Sequence, residues 1–433
     1  MGQRFAILFS VGLMLGFGCR PEPGEPAQPE ESVRAFVGAR IIDGSGNEPV
    51  DNAVILVRAG RIEAIGASDS VEIPQGAQRI DLAGKSVIPG LINAHGHVGA
   101  SRGLLSGPEY YTEENILDQT VLYARYGVTT VLSLGDDGEA GIRVRESQDT
   151  AELDRARLYV AGPVIAAETP EEARRKVSEA AAMNVDIIKI RVDDFLGTRE
   201  KMAPEVYQAV IDQAHQEGLR VAAHLFYLED AKSLLRSGVD FVAHSVRDQE
   251  VDAELISLLK ERDVCLCPTL TREVSTFVYE SRPEFFDDPF FLREADQEVL
   301  DELQSPERQE ELRDNPAVQQ YKQALEVASR NLKTLADAGV VIAFGTDSGP
   351  PGRFQGYFEH MEFDLMSRAG LSPMQILMSA TSDAADCLEL DQIGMLEPGK
   401  WADMVVLDED PLADIRNLRS IHSVWIAGNQ VPE

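Results

Sequence analysis

The sequence predicts an α/β protein: a (β/α)8 TIM barrel with a small β-sandwich domain formed by both chain ends. Three observations carry that prediction. The middle of the 433-residue chain alternates eight short apolar runs with helical segments. Both ends carry β-rich runs punctuated by glycine turns, without helix-length segments between them. Metal-competent side chains stand at the ends of several apolar runs, on the face where barrels keep their active sites.

The chain opens with Met1-Gly2-Gln3-Arg4, an apolar stretch over 5–17, then Gly18-Cys19. A basic start, a short apolar region and small residues before a cysteine predict an export signal over 1–19, too short for a mature membrane span. The segment resembles a bacterial lipoprotein signal with Cys19 as the lipidated residue, although Gly16 stands where that motif usually has leucine. An ordinary cleaved signal with an incidental cysteine is the alternative. Arg20 after the cysteine, in place of aspartate, resembles lipoproteins sent to an outer membrane. The expected location is thus exported, lipid-anchored in the periplasm or outer membrane of a bacterium. Residues 20–33 are rich in Pro and Glu and read as a solvated tether.

Residues 34–88 alternate β-rich runs with turns at Gly60, Gly66 and Gly84, and 398–433 has the same texture in ADMVVL and IHSVWIAGNQV. Pairing the two ends into one sandwich satisfies edges that would otherwise be open. Residues 89–397 form the barrel. Its strands are read at 91–97, 129–134, 157–161, 186–191, 220–224, 239–244, 264–269 and 340–347, with helices such as 204–217 and 228–237 between them. About seventy residues separate the last two strands, more than one helix needs. An aromatic-rich insertion over about 273–315, with Phe277, Tyr279, Phe285, Phe286, Phe290 and Phe291, reads as a lid or as a peripheral helical hairpin, and 316–338 as the barrel's own helix. Cys265, Cys267 and Cys387 are expected as small buried apolar residues with no disulfide.

The formal net charge is −33, with 44% hydrophobic residues. Such a surface repels nucleic acid, so small-molecule chemistry is expected, with membrane contact only through a lipid anchor.

In an extended strand, side chains two apart share a face, so His95 and His97 in LINAHGHV can grip one ion. Lys189 lies within IIKIRV, while His224, His244 and Asp347 end later runs. Each has a bland alternative: a histidine bonded to a carbonyl, a snorkelling lysine, a capping aspartate. Those alternatives would have to hold six times over at one mouth. A buried lysine is pushed towards its neutral amine, which can add carbon dioxide to give an anionic carbamate with two ligand oxygens.

The motifs VIPGLINAHGH (87–97), DIIKI, AAHLFYLEDAKSLLRSGVDFVAHS (222–245), FGTDSG (344–349) and IGMLEPGKWADMVVLDEDPL resemble the amidohydrolase superfamily, in its imidazolonepropionase-like and Xaa-Pro dipeptidase-like branch. The resemblance implies that His95, His97 and Asp347 hold one divalent metal, that His224 and His244 hold another, and that carboxylated Lys189 bridges them. It also implies a bridging hydroxide as nucleophile and Asp347 as the catalytic acid/base. Imidazole and carboxylate ligands suit Zn2+, with manganese, iron and cobalt as alternatives.

Tyr227, Arg247 and His360 are candidate substrate contacts. Arg247 can grip a carboxylate at the mouth or equally pair with Asp248 or Glu250 on the surface. His215 and His422 read as structural. The expected function is hydrolysis of an amide C–N bond in a dipeptide or N-acyl amino acid. A cyclic amide, lactone or ester hydrolase, and a non-catalytic surface binding lipoprotein, are the alternatives.

Overall fold

The computed structural model describes residues 33–432. The export signal with Cys19, and all but the last residue of the tether, lie outside the described residues. No helix among the described residues is long and apolar enough to cross a membrane.

Both chain ends meet in one eight-stranded sheet. Arg34–Ile41 pairs antiparallel with Val50–Arg58, which continues into Arg61–Ala67. The ends join where Ser86–Pro89 pairs antiparallel with Met404–Leu407, which in turn carries Ile421–Ile426. Alternation sorts the side chains. Phe36, Ile55 and Val57 point into a core shared with Val87, Met404, Val406 and Trp425, whereas Ala35, Val54 and Leu56 fill a smaller layer. Residues 53–57 are therefore an unbroken apolar run because both faces are covered.

Seven parallel barrel strands follow: Leu91–Gly96, Val128–Ser133, Arg157–Val160, Ile188–Val192, Val221–Leu225, Phe241–Ala243 and Cys265–Cys267. Strands three and four are joined by a bridge at Ile165 and Ile190 and by the Asp186 amide donating to the Val160 carbonyl at 2.9 Å. The eighth segment closes the ring, bridging Leu266 through Ile342 and Gly96 through Ser348. It is irregular where 340–347 reads as a regular strand. At Gly345 a Cβ would lie 2.8 Å from the His95 nitrogen, and Asp347 takes a left-handed φ of 59°, so the backbone here is shaped by the site. Pro204–Gln216 buries Tyr207, Val210, Ile211 and Ala214 at helical spacing, and Leu228–Ser237 ends on Gly238 with φ 101°.

The insertion forms short helices whose Tyr279, Phe286, Phe291, Leu300 and Leu303 pack with Tyr126, Tyr357 and Phe358 in a separate core. Residues 275–315 contribute no side chain to the main cleft. The insertion is a packed module beside the barrel, and the helix Pro316–Asp337 follows it.

One cysteine reading is corrected: Cys265 and Cys387 form a disulfide, with their Cα atoms 6.0 Å apart, while Cys267 is free and buried. The partner lies 122 residues away on the helix Ser382–Cys387, a juxtaposition that only the closed barrel creates.

The barrel is fastened to the terminal sheet by a buried pair. Arg157 donates to Asp403 through Nε (2.7 Å) and Nη2 (3.3 Å), Asp403 also accepts the Ala427 amide at 2.7 Å, and Trp401 covers the guanidinium at 4.6 Å. Removing one partner leaves a buried charge alone. Arg157→Ala should therefore lower unfolding free energy by about 3–5 kcal/mol in a denaturant titration; a loss under about 1 kcal/mol would contradict this account.

Candidate active site

The carboxyl ends of the barrel strands surround a cleft of about 400 Å³ lined by His95, His97, Lys189, His224, His244 and Asp347. All six site residues expected from the sequence are brought together. His95 and His97 follow from the two-residue period of strand one. Asn93, one step earlier on the same face, accepts the His95 amide at 2.9 Å and donates to Glu359 at 2.6 Å. Gly349 lies so close to the His97 carbonyl that a Cβ would collide with it, and its φ is 110°.

Ring-nitrogen partners orient several of these imidazoles. His97 Nδ1 lies 3.3 Å from the Gly135 carbonyl, His224 Nε2 2.8 Å from Asp193, and His244 Nδ1 2.7 Å from Thr269 Oγ1. Each keeps its other nitrogen for the cleft. The rings are contiguous, with centroids 4.6 Å apart for His95 and His244 and 4.2 Å for His224 and His244. His97 Nε2 stands 2.9 Å and His95 Nε2 3.8 Å from Asp347 Oδ1. The donor atoms of His95, His97 and Asp347 lie within 4.8 Å of one another, so this cluster can hold a metal ion.

Electrostatics keep three of the imidazoles, His95, His224 and His244, neutral. Burial, then the nearby Lys189, lowers His95 well below the ordinary range, burial lowers His244 likewise, and burial brings His224 to about 3 against the Asp193 hydrogen bond. Burial alone would raise Asp347, but the Arg353 guanidinium, 2.6 Å from Oδ2, and the two histidines hold it well below the usual carboxylate range. Lys189 Nζ is buried with no hydrogen-bond partner among the described residues, as is His95 Nδ1. Burial brings the Lys189 amine down to about 7. Neutral imidazoles, a carboxylate and a deprotonable amine make a donor set that fits divalent metal. His244 (φ 94°), Thr269 (φ 47°) and Asp347 (φ 59°) all take left-handed backbone, which costs about 1–3 kcal/mol each and concentrates at functional sites.

Several contributors were not singled out in the sequence. Asp193 and Thr269 orient histidines from the loops after strands four and seven. Glu359 accepts from Asn93, Thr346 and Ser348 beneath the ligand strands. Arg191, Arg199, Arg272 and Arg353 line the cleft. For Asp193 and Thr269 the only sequence signal was position shortly after a barrel strand.

The structure places the three candidate substrate contacts, Tyr227, Arg247 and His360, outside the cleft lining. Arg247 is 1% exposed, pairs with Glu273 at 2.8 Å and donates to the Leu225 and Ser245 carbonyls, so it is neither at the mouth nor on the surface. His360 bonds the Tyr126 carbonyl at 2.9 Å and packs on Phe290. The Tyr227 hydroxyl donates to Asp194 at 2.7 Å, and its side chain is absent from the cleft lining. His215 pairs with Asp240 and His422 with Asp408, away from the site.

Residues 86–431 match the model of the amidohydrolase family. The chain belongs to that family. Among solved structures, this family member is similar to a putative prolidase from Bifidobacterium longum (27% identity, TM-score 0.75, covering 94% of this chain and 96% of that one). A Xaa-Pro dipeptidase with bound methionine superposes with TM-score 0.74 at 22% identity over 93% of this chain and all of the other, a likeness of fold. Ochratoxinase of Aspergillus niger is 24% identical over 341 residues, 75% of this chain but 60% of that protein's length.

The buried amine carries a pH prediction. The folded-state value of Lys189 lies near 7, below its ordinary 10.5, so between those values the unfolded chain holds more protons and stability rises with pH. Metal-free Lys189→Met protein should therefore be more stable than metal-free wild type at about pH 6, and the gap should close as pH approaches about 10. Thermal melts across pH check this; a pH-independent gap would contradict a buried unpaired ammonium.

Proposed function

We propose that this chain is a binuclear metal-dependent amidohydrolase that cleaves the C–N bond of a small amide, a dipeptide or an N-acyl amino acid. The observation that carries the reading is Lys189: among the described residues its amine is buried without a partner, in a cleft with four imidazoles and the Asp347 carboxylate. An unpaired ammonium is costly in that place, whereas a carbamate there completes a ligand set. His95, His97 and Asp347 would hold one ion, His224 and His244 the other, with carboxylated Lys189 between them.

The donor set of these residues suits zinc, and divalent ions held there would supply an activated water and a polarised substrate carbonyl. The remaining work falls to the protein. Asp347 stands at the meeting point of His95 and His97, where it takes the proton of the attacking water and returns it to the leaving amine. Arg353 fixes its second oxygen, so the proton is exchanged at Oδ1. Asp193 holds His224 in one tautomer, and Thr269 orients His244.

The likeness to a prolidase and a Xaa-Pro dipeptidase supports amide substrates of dipeptide size. Export with lipidation at Cys19 belongs to the same proposal, and the Cys265–Cys387 disulfide supports it because such bonds persist in oxidising compartments.

Protein prepared with zinc should hold about two ions per chain and turn over members of a dipeptide and N-acyl amino acid library. Lys189→Ala should lose most of that metal and nearly all hydrolysis. Retention of both by the variant would contradict the two-metal reading.

A further inference from the structure

The cleft wall contains two guanidinium groups that the proposed chemistry does not use. Of the four arginines lining it, Arg353 is committed to Asp347 and Arg272 to both oxygens of Glu273 at 3.1 Å. Arg191 and Arg199 have no side-chain hydrogen bond and no carboxylate within 4.0 Å among the described residues. Both are exposed, and both guanidiniums lie against the ring of Phe195, at 5.6 and 4.9 Å from its centroid.

Their placement follows from the strand. Arg191 is two residues beyond Lys189, hence on the same inner face and one step nearer the mouth. Phe195 reaches back to the ligands, its ring 5.8 Å from that of His224. The loop is held there: Asp193, the partner of His224, also accepts the Phe195 amide at 2.9 Å, and the Thr198 and Arg199 amides donate to the Asp194 carbonyl. Phe195 and Leu196 take left-handed φ values of 51° and 59°, a conformation kept where the surroundings enforce it.

Charge points the same way. The chain carries a formal net charge of −33, yet the acidic side chains lining this cleft are Asp136 and Asp347, against four arginines, of which Arg191 and Arg199 keep unpaired charges. A cationic cleft in an acidic protein attracts and selects anions. Guanidinium forks match carboxylates in bidentate geometry, and two free forks on one wall match two negative charges.

We propose that Arg191 and Arg199, braced on Phe195, are specificity-determining residues for a dicarboxylate substrate, an amide of an amino acid with an acidic side chain. The substrate class rests on the amidohydrolase reading above, whereas the grip itself does not require turnover. Calorimetry on zinc-loaded protein separates the two, with L-glutamate and its neutral isostere L-glutamine as probes. Wild type should bind glutamate at least about tenfold more tightly than glutamine, and the Arg191→Gln/Arg199→Gln double variant should bring the two affinities level while keeping its metal. Equal affinities in wild type, or a preference that survives in the double variant, would overturn the proposal. Hydrolysis of N-acetyl-L-glutamate is measured alongside: selective glutamate binding without that hydrolysis supports the grip and contradicts the amide-hydrolase reading.

Discussion

An amine enclosed at the mouth of a parallel barrel is the constraint on which the site depends. Lys189 stands on the inner face of strand four, 3% exposed, with Nζ unpartnered. In that setting a charged ammonium is strongly disfavoured, and burial brings the group to about 7, where the neutral amine is available for reaction with carbon dioxide. The neighbours are consistent with the same end: neutral histidines, a low-pKa aspartate and outer partners that fix each ring. The left-handed backbone at His244, Thr269 and Asp347 and the irregular eighth strand are costs that the site imposes on an otherwise regular closure.

Stability is supplied elsewhere. The terminal sheet joins residues from both chain ends in one core, the Arg157–Asp403 pair ties that sheet to the amino end of the barrel, and the insertion adds an aromatic core of its own. The site can therefore be polar, strained and open because its scaffold is fastened away from it. The cationic cleft belongs to the same division: in a chain of formal net charge −33, the mouth carries the unpaired guanidinium groups of Arg191 and Arg199.

Much of this was legible in the sequence, for identifiable reasons. Period-two alternation made His95 and His97 a pair, and Lys189 inside one apolar run with His224, His244 and Asp347 at the ends of later ones gave the strand order of the site. What escaped depends on contacts between segments far apart in the chain. Cys265 meets Cys387 only after the barrel closes, so the pairing has no local signature. Arg247 reads as a mouth residue by its place after strand six, yet it turns inward to Glu273 on the short helix Leu270–Val274 after strand seven. His360 sits in a recognisable segment, but its helix presents Glu359 to the ligand strands and His360 to Tyr126. Arg191 and Arg199 were hidden for the opposite reason: exposed arginines are common, and only the cleft shows that these two lack acidic partners.

The central claim is that Lys189 serves as a carboxylated ligand between two metal ions. The most direct test is a crystal structure of zinc-loaded protein grown in bicarbonate, with anomalous scattering recorded at the zinc edge. The account predicts two anomalous peaks in the cleft and density for a carboxyl group on Lys189 Nζ. A bare lysine amine beside a single ion would contradict it.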